Sequence, residues 1–179
     1  MLKYRPYGQT LINSYWKGLV MEDWKKVLVL GIGNLLFKDE GIGIHVVEKM
    51  QTMALPPDVE VIDGGTASNI FPYLIENREK VILINAMKAG DSPGTIYRLS
   101  EEEFLETRKG SRTTQESEFE DALRMTIAMK TNPKKLVVIG IEPEYTGEED
   151  HKCEIGLSPA LETKIPEIIE MVMREIETY

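Results

Sequence analysis

Short runs of apolar β-formers recur along the chain at residues 27–30, 59–62, 81–84 and 136–139. The first, Val27-Leu28-Val29-Leu30, is continuously apolar and closes on Gly31, as expected of a strand buried on both faces of a parallel sheet. Between the runs the apolar period changes to that of a helix. Ile42, Val46, Met50 and Met53 share one helical face, and so do Phe119, Ala122, Leu123 and Thr126. Strands alternating with helices predict βαβ crossovers in an α/β, three-layer sandwich. The clearest helix is the last, where Leu161, Ile165, Ile168, Ile169, Val172, Met173 and Ile176 form one stripe behind Ser158 as N-cap and Pro159 at the first helical position. That stripe is core packing. Residues 95–99 alternate apolar and polar after a Ser92-Pro93-Gly94 turn and predict an edge strand, antiparallel to its neighbour. Two polar stretches, 100–118 and 142–153, predict loosely structured, solvated loops, and no internal repeat is visible.

The 179 residues suit one compact domain, assigned to residues 25–179 behind an N-terminal arm over 1–24. The arm carries Lys3 and Arg5, but Asn13 and Ser14 interrupt its apolar stretch before a secretory signal could form. Two readings of it stand side by side. Met21 is the natural start and residues 1–20 lie upstream of it, or the arm is genuine and docks through Tyr4, Tyr7, Tyr15 and Trp16.

Charge and residue counts narrow the chemistry. Lys and Arg total 21 against 30 Asp and Glu, a net −9, so the field repels nucleic acid and anionic lipid. No apolar run approaches the roughly 18 residues that span a bilayer, which predicts no membrane insertion. Cys153 is the single cysteine, which excludes an intrachain disulfide and fits a reducing, cytoplasmic compartment. With only His45 and His151 available, a three-imidazole zinc site within one chain is arithmetically impossible, and any metal centre must draw on carboxylates.

In open parallel sheets ligands bind beyond the carboxyl ends of the strands. The first run leads into Gly31-Ile32-Gly33-Asn34-Leu35-Leu36-Phe37-Lys38-Asp39-Glu40-Gly41-Ile42-Gly43. Leu36 stands where a dinucleotide fingerprint needs its third glycine, and the helix starts only after Glu40. What remains is a glycine-bracketed loop with adjacent carboxylates, Asp39 and Glu40, whose plainest role is to stabilise a helix N-terminus. The second run ends in Asp63-Gly64-Gly65-Thr66, where the Asp could cap a helix, bind a ligand or orient water. The third runs out into Asn85-Ala86-Met87-Lys88. His45 lies near the buried face of the first helix and reads as a packed or boundary residue. Cys153 reads as an incidental loop thiol, because His151 two residues away makes no oriented nucleophile pair with it.

At these residues the sequence resembles the hydrogenase maturation proteases, over about residues 26–177. The markers are L-G-I-G-N-L-L-F-K-D-E-G-I-G at 30–43, D-G-G-T at 63–66, S-P-G-T at 92–95 and G-L-S-P at 156–159. The resemblance implies a twisted, five-stranded, mostly parallel sheet between helices. It also implies an endopeptidase that removes a C-terminal peptide from the precursor of a nickel-iron hydrogenase large subunit after nickel insertion. Nickel in the substrate is then the recognition element, no organic cofactor is implied, and the protein is expected as a monomer or weak oligomer.

The family recognises nickel through an acid in the first loop, an Asp ending the third strand and a His at the next helix entrance. The first carries over to Glu40. Asn85 stands at the second position and Gln115, within Thr113-Thr114-Gln115, at the third. Neutral amides are poorer donors to a divalent ion than carboxylate or imidazole. Three explanations compete. The enzyme works with little direct help from nickel, Glu40 and Asp63 polarising water as a carboxylate pair. Alternatively, replacement ligands come from Asp39, Glu116, Glu118, His151 or Cys153. In the third, an inactive paralogue binds the precursor as a maturation chaperone. The reading adopted is the peptidase: Glu40 recognises the metal centre and acts with Asp63 in catalysis, while Gly33, Asn34, Asp39, Gly64, Gly65, Thr66, Asn85 and Gln115 contact substrate.

Overall fold

The computed structural model describes residues 26–106, 114–145 and 153–179. The N-terminal arm expected over 1–24 lies outside the described residues, as do Thr113 and His151.

Among the described residues, five strands form one sheet: β1 (Val27–Ile32), β2 (Val59–Gly65), β3 (Lys80–Ala86), β4 (Ile96–Ser100) and β5 (Leu136–Ile141). Their spatial order is β2-β1-β3-β5-β4. All pairings are parallel except β4 with β5, so the expected mostly parallel sheet with an antiparallel edge strand is the one observed. The continuous apolar runs are explained by cover on both faces. Val29, Ile84 and Ile139 face a cluster with Ile42, Val46 and Met50 of α1 (Ile42–Met50) and with Ile168, Val172 and Ile176 of the C-terminal helix. Leu30, Leu83 and Val138 face the other cluster, closed by Phe71, Phe104, Phe119 and Leu123. These come from α2 (Phe71–Ile75), α3 (Glu101–Glu106) and α4 (Thr114–Met129).

Three local expectations need correction. Helix α1 stops at Met50, and Met53 lies beyond it, half exposed. The segment 100–118 is not a loose loop in its described part, because it holds α3 and the start of α4. Ser100 and Glu103 form a reciprocal capping box at the entrance to α3: the Ser100 N–H donates to Glu103 Oε2 at 2.7 Å and the Glu103 N–H to Ser100 Oγ at 3.3 Å. The final stripe is two helices, α5 (Pro159–Glu162) and α6 (Ile165–Glu177), with Ser158 as the N-cap of the first. Pro166 sits in the first turn of α6 and has no N–H to continue the earlier helix's ladder.

An ion cluster around the buried Lys80 fastens α6 to the sheet. Lys80 Nζ donates to Glu175 Oε2 at 2.8 Å and Arg98 Nε to Glu175 Oε1 at 2.6 Å. Burial alone would push the Glu175 carboxyl up, but its hydrogen bonds to Arg98 and Lys80 outweigh this and bring it down to about 2.

Candidate active site

The chain passes from β1 to β2 on one side and then crosses back past β1 to β3 on the other, so the β1–β3 boundary is the point where strand order reverses. In open α/β sheets the loops diverge at such a point and leave a crevice at the carboxyl edge. The loop after β1 arches over it, ending in a one-turn 3-10 helix (Asp39–Gly41) that packs against β3. Two glycines make this possible. A Cβ on Gly33, where φ is +148°, would collide with the Glu40 carbonyl, and one on Gly43 would collide with the carbonyls of Ile32 and Ile84. Helix α1 therefore starts directly on the strands. Asn34 shapes the loop as well, its Oδ1 accepting the Leu36 N–H at 3.0 Å and its N–H donating to the Glu40 carbonyl at 3.2 Å.

Both acids of this turn are buried, Asp39 at 0% and Glu40 at 2% exposure, unlike ordinary dipole-stabilising acids. Asp39 serves other segments rather than its own helix. Its Oδ2 accepts the N–H groups of Glu144 and Tyr145, each at 3.0 Å, and its Oδ1 accepts that of Ser158 at 2.6 Å. Around it, the Lys38 N–H donates to the Glu154 carbonyl at 2.7 Å, and the Glu154 N–H to the Leu36 carbonyl at 2.9 Å. Lys38 Nζ meets Glu154 Oε1 at 2.7 Å and lies 5.5 Å from the centre of the Tyr145 ring. The loop after β1 and the segments around 145 and 154 are thus strapped together. Cys153, beside that strap, is exposed.

Asn85 stands next to last on β3 and is 2% exposed. Its neighbours Leu83 and Met87 belong to the cluster beneath α4, so Asn85 lies on the α4 face, the same face as the helix whose first turn holds Gln115 and Glu116. Glu118 lies one turn along and is half-buried. Asp63 is placed differently. It lies near the carboxyl end of the outer strand β2, is exposed, and its Oδ1 accepts the Gly65 N–H at 2.8 Å. Gly64 forms a bulge against β1, buried where a Cβ would press on Leu30, Ile32 and Phe71. The Gly65 carbonyl accepts the Gly33 N–H at 3.2 Å and the Gly64 carbonyl that of Ala67 at 3.1 Å, so these backbone groups are engaged in the turn that precedes α2. Thr66 is exposed within it. The structure therefore brings Glu40 and Asn85 to the β1–β3 crevice and leaves Asp63 at the end of the sheet's outer strand.

His45 is partly exposed, its Nδ1 3.7 Å from Glu48 Oε2, and it borders a groove with Gly156, Leu157 and Glu162. Among the described residues, no group of three His, Cys, Asp or Glu side chains is arranged to hold a metal ion.

One anchoring residue was not legible in the sequence. Glu142, just after β5 in a stretch that reads as a loose acidic loop, is 3% exposed. Its carboxylate accepts the N–H groups of Ala89 at 2.8 Å and Gly90 at 3.1 Å and the Tyr97 hydroxyl at 2.7 Å. Burial, then the carboxylates of Glu142 and Asp91, push the Tyr97 phenol up. The only available signal was a glutamate directly following a buried strand.

A profile of the hydrogenase maturation proteases matches residues 44–175. This chain belongs to the hydrogenase maturation protease family. It is 34% identical over 150 residues to the hydrogenase 2 maturation protease of Escherichia coli, covering 83% of this chain and 88% of that one. It is 32% identical to the hydrogenase expression/formation protein HupD of Rhodobacter capsulatus, over 87% of this chain and 73% of the relative. In three dimensions it is similar to the hydrogenase maturating endopeptidase HybD from Escherichia coli, with a TM-score of 0.78 at 32% identity, covering 86% and 93% of the two chains. As a maturation endopeptidase the protein is a hydrolase of peptide bonds. Among the described residues, no helix is long and apolar enough to cross a membrane.

Proposed function

We propose that this maturation protease removes a C-terminal peptide from the precursor of a nickel-iron hydrogenase large subunit after the metal centre has been assembled. The observation that carries the reading is the buried Glu40 held at the β1–β3 crevice by an arched, glycine-dependent loop, where open α/β sheets take their ligands. Nickel is part of the substrate in this reading, and Glu40 supplies the carboxylate that meets it, a hard oxygen donor suited to a divalent ion. Asp63, exposed near the carboxyl end of β2, is the proposed partner of the attacking water. The precursor's extended tail lies over the carboxyl edge of the sheet, bordered by the segments that Asp39 and Glu142 hold in place. Gly33, Asn34, Gly64, Gly65 and Thr66 form its glycine-rich floor, and Gln115 is its proposed contact at the entrance to α4. The work is done in the cytoplasm by a monomer or weak oligomer.

The test is incubation of the full-length protein with nickel-loaded and nickel-free precursor, followed by intact-mass measurement of the large subunit. Loss of a C-terminal peptide from the nickel-loaded form is expected. Stable binding with no shortening of either form would instead make the protein a maturation chaperone.

A further inference from the structure

We infer that Lys38 is a positioning residue for the proposed reaction: clasped by Glu154, it holds its own backbone in the turn that keeps Glu40 at the crevice. Lys38 has φ +48° and ψ −109°, a conformation that suits glycine and that residues with a side chain rarely adopt. Such strain persists only where the surroundings over-determine it. Here the restraints converge on one residue. The Lys38 N–H donates to the Glu154 carbonyl at 2.7 Å, and Lys38 Nζ donates to Glu154 Oε1 at 2.7 Å. The Glu154 N–H returns to the Leu36 carbonyl at 2.9 Å, and the Tyr145 ring centre lies 5.5 Å from the same ammonium.

The dihedrals of Lys38 matter to Glu40 because they orient the peptide planes on either side. One plane carries the Phe37 carbonyl, which accepts the Glu40 N–H at 3.0 Å. The other carries the Lys38 carbonyl, which accepts the Gly41 N–H at 3.0 Å. Rotation at residue 38 therefore undoes the single turn in which Glu40 is 2% exposed. Positive φ at the start of this loop falls to Gly33, where a Cβ has no room. At position 38 a long side chain stands instead, and its ammonium is the group that reaches Glu154. The side chains of the pair are 23% and 52% exposed, so the pair adds little to overall stability. Its effect is on geometry, since a misplacement of about 1 Å near a reacting centre can cost about a hundredfold in rate.

This rests on the peptidase reading and on the place of Glu40 in it, and the experiment separates them. Wild-type protein, Lys38→Ala, Glu154→Ala, the double variant and Lys38→Gly are compared for kcat and KM on nickel-loaded precursor, for melting temperature, and for deuterium exchange at the Glu40 and Gly41 amides. Lys38→Ala and Glu154→Ala should each lower kcat by about tenfold or more, with KM within about threefold of wild type and melting temperature lower by no more than about 3 °C. The double variant should fall no further than either single one, because both act through one contact. Lys38→Gly, which takes up the turn without a clasp, should keep kcat within about threefold of wild type. A wild-type kcat in Lys38→Ala would overturn the assignment. So would additive losses in the double variant, a raised KM at unchanged kcat, or a loss in Lys38→Gly as deep as in Lys38→Ala. If wild type leaves the nickel-loaded precursor intact, the peptidase reading fails and exchange decides the positioning role. The Glu40 and Gly41 amides should exchange about tenfold faster in Lys38→Ala and Glu154→Ala but not in Lys38→Gly, with the β1 amides unchanged in all. Equal protection of the two amides in every variant would overturn it.

Discussion

The Asp39 carboxylate meets the Ser158 backbone N–H at 2.6 Å, joining the loop after the first strand to the N-cap of α5 across 119 residues of sequence. With the Glu144 and Tyr145 amides on its other oxygen, this one side chain ties the first loop to two segments of the C-terminal third. Asp39→Asn turns an N–H2 group toward donors it cannot accept from. The variant should lose about 3 kcal/mol of stability, hydrogen bonds to charged groups contributing roughly 1.5–3 kcal/mol each. Thermal unfolding should show a melting temperature lower by about 6–12 °C. An unchanged melt would remove the strap from the account of this site.

Glu40 differs from its neighbour in what it is expected to do. Glu40→Gln should cut precursor processing by roughly 100-fold or more, the scale of losing one electrostatic contact at a reacting centre. Mass spectrometry of the large subunit over a time course measures this. Normal processing by the variant would sink the metal-recognition role.

Glu142 holds the segment after β3 through the Ala89 and Gly90 amides. In Glu142→Gln these two amides should exchange with deuterium markedly faster than in wild type while the β1 amides stay protected. The stability loss should be about 1–3 kcal/mol. Equal protection at Ala89 and Gly90 would show that the backbone of this segment is fixed without the carboxylate.

The Lys80–Glu175–Arg98 cluster gives the fold an acid limit. The folded-state value of Glu175, about 2, lies below its ordinary 4.5. Its stabilising contribution is therefore complete above about pH 4.5 and is lost as pH falls toward 2. Glu175→Gln removes the countercharge of the buried Lys80 ammonium, which keeps its hydrogen bonds to the residue-175 carbonyl and the Thr178 hydroxyl, and should cost about 3 kcal/mol at pH 7. It should also flatten the fall in stability between pH 5 and 2. Urea midpoints across that range check both, and an acid limb as steep as that of wild type would mean that other carboxylates govern it.

What the sequence determined by itself is local. Apolar runs fixed where the strands lie, because a strand covered on both faces must be apolar at every position, and the 3.6-residue stripes marked α1, α4 and α6. The Ser100–Glu103 capping box and Pro166 were also written there, although charge density hid the first and a continuous stripe the second. Tertiary structure decided the roles of the acids. Asp39 and Glu40 are adjacent and chemically alike, yet one accepts three N–H groups from 105, 106 and 119 residues away. The other is placed at the crevice. Glu142 likewise has partners about 50 residues back along the chain. Hydrophobic period is set by neighbours one turn or one pleat away, so it survives in the sequence. A carboxylate's partners are set by which loops the sheet order β2-β1-β3-β5-β4 brings to one edge, and no local pattern records that.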